Sequence, residues 1–170
     1  AWSINGTNVT FTAAAGAAGM ATAINDAATG VTAEAKLDVT ITNLSTADDD
    51  TINLGNDSYD LGTFGGDGAR LTEEMVADGH DAIYDAASGD ITLKTTGVNG
   101  IEIDTAAGVG TGTVQLVNNN PGGGGYTGTV DSDQTVTSTL DLTSANKIGI
   151  SDSTAGANVA EYLGTQTTGS

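Results

Sequence analysis

The chain of 170 residues sets 22 acidic side chains against four basic ones (Lys36, Arg70, Lys94 and Lys147), a formal net charge of −18 at pH 7. That field repels phosphate backbones and anionic lipid, which argues against nucleic-acid and membrane-surface partners, and no apolar run approaches the roughly 18 residues of a transmembrane helix. Cysteine is absent, excluding a disulfide scaffold, a thiol nucleophile and a Cys-based metal centre, and aromatics at 4% predict a thin core of Val, Ile, Leu and Ala.

In chain order, Asn5-Gly6 lies between short apolar-alternating runs. Both residues tolerate positive φ, so the pair predicts a tight type I′ hairpin turn. From Ala17 the period lengthens: Ala17, Met20, Ile24 and Ala27 fall on one helical face, with Gly30 placed to supply a left-handed C-terminal cap. Val31, Ala33, Ala35 and Leu37 then interleave with Thr32, Glu34 and Lys36, as in a half-buried strand. A glycine-rich break follows from Gly55 to Gly68, then a short helix over Leu71–Val76 with Gly79 beyond its end. Ala82-Ile83-Tyr84 and Asp90–Lys94 read as a hairpin around Ser88-Gly89. Period-two runs continue with Ile101 and Ile103, which pair with Ile91 and Leu93 as inward residues, then Val114 and Leu116, then Val136, Leu140 and Leu142, and finally Ile148 and Ile150. A second break, Asn118 to Gly125, holds the sole proline, Pro121. The pattern predicts an α+β fold, predominantly antiparallel β. A hairpin–helix–strand unit spans 1–60 and a β-rich lobe of short strands spans 61–170, the two able to form one domain.

Three segments in register carry a further signal. Ile4-Asn5-Gly6-Thr7-Asn8-Val9, Ala23-Ile24-Asn25 and Gly30-Val31-Thr32-Ala33 resemble the IN motif of bacterial flagellins and hook-associated proteins. The likeness covers about the first third of the chain; the remainder is similar to flagellin variable regions in composition alone. It implies a surface-exposed outer domain, cut from a larger subunit whose long helices assemble the filament, so that Ala1 and Ser170 should emerge on the same side. It also implies other copies of the subunit as partners and an extracellular location on the flagellum.

Reactive constellations are scarce. The acidic, glycine-rich stretch offers Asp48, Asp50, Asp57, Asp60 and Asp67 as calcium candidates, because calcium takes six to eight oxygens from carboxylates and carbonyls. Gly55-Asn56-Asp57-Ser58-Tyr59 is similar to one imperfect copy of a calcium-binding nonapeptide, but such repeats share ions between stacked copies, and solvated turn residues are the plainer reading. His80 is the sole histidine and reads as a surface-loop residue. Neither His-Glu-x-x-His nor Gly-x-Ser-x-Gly occurs, and Glu73 and Glu74, adjacent on the expected helix, point apart. Trp2 reads as a core anchor. Sequons at Asn5, Asn8, Asn43 and Asn56 read as turn and strand residues. No catalytic residue and no cofactor is expected. The leading expectation is a structural domain of a flagellin-like filament. The alternatives are a calcium-dependent adhesin or surface-layer module and the outer domain of a hook-associated or filament-capping protein.

Overall fold

The computed structural model describes residues 1–12, 14–105, 112–123, 125–130 and 132–152. Strands β1 (Trp2–Ile4) and β2 (Thr7–Val9) form the expected hairpin, with Asn5 at φ 50 and Gly6 at φ 83, both positive as a type I′ turn requires. Helix α1 (Gly16–Asp26) buries Ala17, Met20, Ala21 and Ile24. Its left-handed closing residue is Ala28, at φ 50, and not Gly30. The physical reason is local: Ala27 N–H reaches the Ala23 carbonyl and Ala28 N–H the Asn25 carbonyl, so the last turn is closed before Gly30 is reached.

Strand β3 (Thr32–Thr42) runs eleven residues and buries Ala33, Ala35, Leu37, Val39 and Ile41 on alternate positions. The expected break from Gly55 to Gly68 is structured. Strands β4 (Thr51–Leu54) and β5 (Asp57–Asp60) pair across a turn at Gly55, and helix α2 (Leu61–Phe64) follows directly. Helix α3 (Gly68–Ala77) occupies the expected position. Its C-terminus is closed by Gly79 at φ 98, with Gly79 N–H on the Val76 carbonyl and His80 N–H on the Met75 carbonyl, the paired bonds of a Schellman cap. Strands β6 (Asp81–Asp85) and β7 (Asp90–Thr96) form the expected hairpin. Then come β8 (Gly100–Asp104), β9 (Gln115–Asn118), β10 (Gly125–Tyr126), β11 (Gln134–Thr137), β12 (Thr139–Thr143) and β13 (Ile150–Asp152). The second expected break is narrower than its composition suggests, because Gly125 pairs with Asn118.

Every strand pairing among the described residues is antiparallel, making the fold α+β and predominantly antiparallel β. One sheet runs β13-β1-β2. A second runs β10-β9-β3-β7-β6, with β12 also on β3. A third runs β11-β8-β4-β5. Ile91, Leu93, Ile101 and Ile103 are all buried as expected, but on facing sheets: β7 belongs to the second sheet and β8 to the third.

Two apolar clusters result. The larger lies between the second and third sheets and takes in Leu37, Val39 and Ile41 of β3, Ile52 and Leu54 of β4, and Leu71 and Met75 of α3. The smaller gathers Trp2, Ile4, Val9, Met20, Ile24, Ala33 and Leu140, with Trp2 edge-on to Phe11 at 5.1 Å. Strand β3 therefore serves both, its first half lying under α1 and its second half inside the sandwich. Each fully buried Ile or Leu contributes roughly 1.5–3 kcal/mol through area removed from water.

Candidate functional site

The first and last described strands lie side by side. Strand β1 is hydrogen-bonded to β13 over Trp2–Asp152, Ser3–Ser151 and Ile4–Ile150. Just beyond this pairing sits Asn5. Its N–H donates to the Gly149 carbonyl at 2.8 Å, its Oδ1 accepts from Gly149 N–H at 2.9 Å, and its Nδ2 donates to the Thr29 carbonyl at 3.1 Å. One turn amide thus joins the first hairpin, the segment after α1 and the last described strand. Asn25, near the end of α1, grips the backbone of Ala33 in β3. Its Nδ2 donates to the Ala33 carbonyl at 2.9 Å and its Oδ1 accepts Ala33 N–H at 2.8 Å. Ser144 Oγ donates to the Gly30 carbonyl. Asn5 is therefore the hydrogen-bonding clasp of this juncture, while Asn25 ties the end of α1 to the start of β3. The expected position of Ser170 lies outside the described residues.

The five calcium candidates make different local bonds. Asp48 is buried and its carboxylate accepts N–H bonds from Ser45, Thr113 and Val114, tying the chain before β4 to the start of β9. Asp50 is also buried, and its carbonyl accepts Leu61 N–H at 2.9 Å. Asp57 Oδ2 lies 3.0 Å from His80 Nε2. Asp60 caps α2 through Gly62 N–H, and Asp67 caps α3 through Arg70 N–H. Among the described residues no group of three or more His, Asp or Glu side chains comes together in a way that could hold a metal ion. Glu73 and Glu74 are both exposed on α3.

His80 is not the surface-loop residue its neighbours Gly79 and Asp81 suggest. It is buried, with Nδ1 2.9 Å from Thr95 Oγ1 on β7 and Nε2 on the Asp57 carboxylate at the start of β5. A carboxylate only accepts, which puts a proton on Nε2. The Schellman cap turns the chain inward at this point, so the imidazole links the two sheets beside α3.

Several structural polar residues carried no signal in the sequence. Gln134 is buried, with Oε1 accepting Leu116 N–H and Nε2 donating to the Val114 carbonyl. Buried Asn120 accepts Asp38 N–H and donates to the Thr137 carbonyl. Asn99 Oδ1 accepts Ala18 N–H at 2.9 Å, capping a helix whose own N-cap, Ala15, has no capping side chain. Each partner is at least 17 residues away, so no local pattern could point to it.

The solvated faces are acidic and polar. On the second sheet, Lys36 pairs with Asp141 and Glu34, and Lys94 with Asp38. The Asp141 hydrogen bond and charge hold the Lys36 ammonium above its ordinary value. Near the third sheet, hydrogen bonds from the Thr105 hydroxyl and N–H hold Asp133 below the usual carboxylate range. The outer face of the third sheet carries an open depression of about 610 Å³ floored by the cross-strand row Asn53, Glu102 and Thr135 and rimmed by Asn56 and Asn99. Among the described residues its lining has no aromatic side chain.

No protein-family model matches this chain, and no curated protein matches it.

Proposed function

We propose that this chain is the surface-exposed outer domain of a flagellin-like filament subunit. It is a structural domain that catalyses no reaction, sits outside the cell on the bacterial flagellum, and has other copies of its subunit in a homopolymeric filament as its partners. The observation that carries this reading is the pairing of β1 with β13. A domain inserted into a stem receives and returns its chain on one side, and the first and last described strands, residues 2–4 and 150–152, lie side by side. The motif asparagine Asn5 clasps that same juncture, and Asn25 holds the end of α1 to the start of β3. The acids away from it serve as helix caps, backbone acceptors and solvated surface, which suits a coat that keeps crowded copies apart by charge.

The test is a graft. A filament-forming flagellin stripped of its own outer domain receives residues 1–170 in the vacated position. The expected result is assembled filaments with added density at the outer radius by electron microscopy. Grafted subunits that stay unassembled while the stripped parent polymerises, or filaments of unchanged diameter, would overturn the reading.

A further inference from the structure

The sequence holds two Asn-Gly dipeptides, Asn5-Gly6 and Asn99-Gly100, and the structure treats them in opposite ways. We propose that Asn99 is a site of spontaneous covalent modification, deamidation through the Gly100 amide, and that the fold shields Asn5 from the same chemistry.

In this reaction the backbone nitrogen of the following residue attacks the side-chain Cγ. The Cγ–Nδ2 bond breaks, ammonia leaves and a five-membered succinimide forms. Solvent water then opens the ring at either carbonyl, giving aspartate or isoaspartate. Glycine after the asparagine favours the step because it has no Cβ to crowd the attacking nitrogen.

The fold requires glycine at 100. Its φ is 155, and an added Cβ would run into the Val136 carbonyl oxygen. The fold also requires a carbonyl-bearing side chain at 99, because Oδ1 caps α1 through Ala18 N–H. The labile pair is therefore built into the architecture. Both asparagines are exposed, but the Asn99 side chain makes a single hydrogen bond, through Oδ1, with its amide lying against Gly16 and its Nδ2 making no hydrogen bond. Asn5 is held at both ends of its amide, Nδ2 on the Thr29 carbonyl and Oδ1 on Gly149 N–H, inside a turn whose two central residues have positive φ. Ring closure at Asn5 must break both bonds and open the β1–β13 juncture.

The two products at position 99 differ in consequence. Aspartate keeps the capping oxygen and adds a negative charge at the start of α1, where the first turn has no acid. Isoaspartate adds a backbone atom next to Gly100 and displaces the Asn99 carbonyl from Ser138 N–H, a 2.9 Å bond that starts the β8–β11 register.

The experiment ages the full folded chain at mildly alkaline pH and follows tryptic peptides by mass spectrometry. The tryptic sites Lys36, Arg70, Lys94 and Lys147 put Asn5 and Asn99 in separate peptides, and fragmentation localises the single-unit mass gain. Deamidation at Asn99 about tenfold or more faster than at Asn5 is expected in the folded chain, because Asn5 reacts only through local opening. In denaturant the two rates converge. Equal rates in the folded chain, or faster reaction at Asn5, would overturn the proposal. Asn99→Asp, made directly, should melt no lower than the parent; a lower melting temperature would refute the capping part.

Discussion

Tyr59 faces inward from β5, fully buried, with its hydroxyl donating to Asp78 Oδ2 at 3.0 Å. Burial first, and then the Asp78 hydrogen bond and charge, push the phenol well above its ordinary value of 10.0. The sign follows: the folded chain keeps the phenol neutral where the unfolded chain would ionise it. The stabilisation is therefore whole below pH 10.0 and is lost as pH climbs above it. Denaturant unfolding across that range should show stability falling with pH in the parent. Tyr59→Phe should flatten the fall while costing about 1 kcal/mol at neutral pH for the lost hydrogen bond; an unchanged slope would contradict the assignment. Histidine and asparagine teach the same lesson about legibility. Asn5 was readable as a turn residue because its turn is local, whereas its clasp on Gly149, the burial of His80 and the reach of Asn99 to Ala18 depend on segments that sequence spacing does not bring together.

The helices show two ways of starting. Helix α3 carries its own cap: Asp67 Oδ1 accepts Arg70 N–H at 3.0 Å, an acceptor at a helix N-terminus that also complements the dipole. Asp67→Ala should therefore lower the unfolding free energy by about 1 kcal/mol without changing the denaturant slope, checked by urea titration. Helix α1 has no such residue and borrows Asn99 from the β7–β8 connection. Its formation depends on the sheets being in place, while its apolar face (Met20, Ile24) was visible in the sequence because burial at three- and four-residue steps leaves a periodic trace. The strands behave similarly. Alternation in β3 announced which side chains turn inward, but not that one strand would carry Ala33 into the smaller core and Leu37 into the larger.

At the scale of the whole molecule, a net charge of −18 opposes compaction, because folding concentrates like charges that the extended chain keeps apart. Salt screens that repulsion, with a Debye length of about 10 Å at 0.1 M and about 3 Å at 1 M. Calorimetry should show the melting temperature rising from low to high potassium chloride. Millimolar calcium added to the high-salt sample should give no further rise and no heat of binding, since the five candidate aspartates make different local bonds and no group that could hold a metal ion comes together among the described residues. A saturable calcium heat would restore the adhesin alternative.

By itself the sequence determined the α+β class, the antiparallel alternation, the first hairpin, the inward face of α1 and the surplus of surface charge. All of these rest on periods of two or 3.6 residues, on the φ tolerance of Asn-Gly, or on composition, and each is complete within a few neighbouring residues. Tertiary structure alone decided that β7 and β8 lie in facing sheets, that β1 closes on β13, and that Asp48, Asn99, Asn120 and Gln134 serve distant backbone. Those outcomes follow from which strands share an edge, and a buried N–H takes whatever acceptor the packing brings to it.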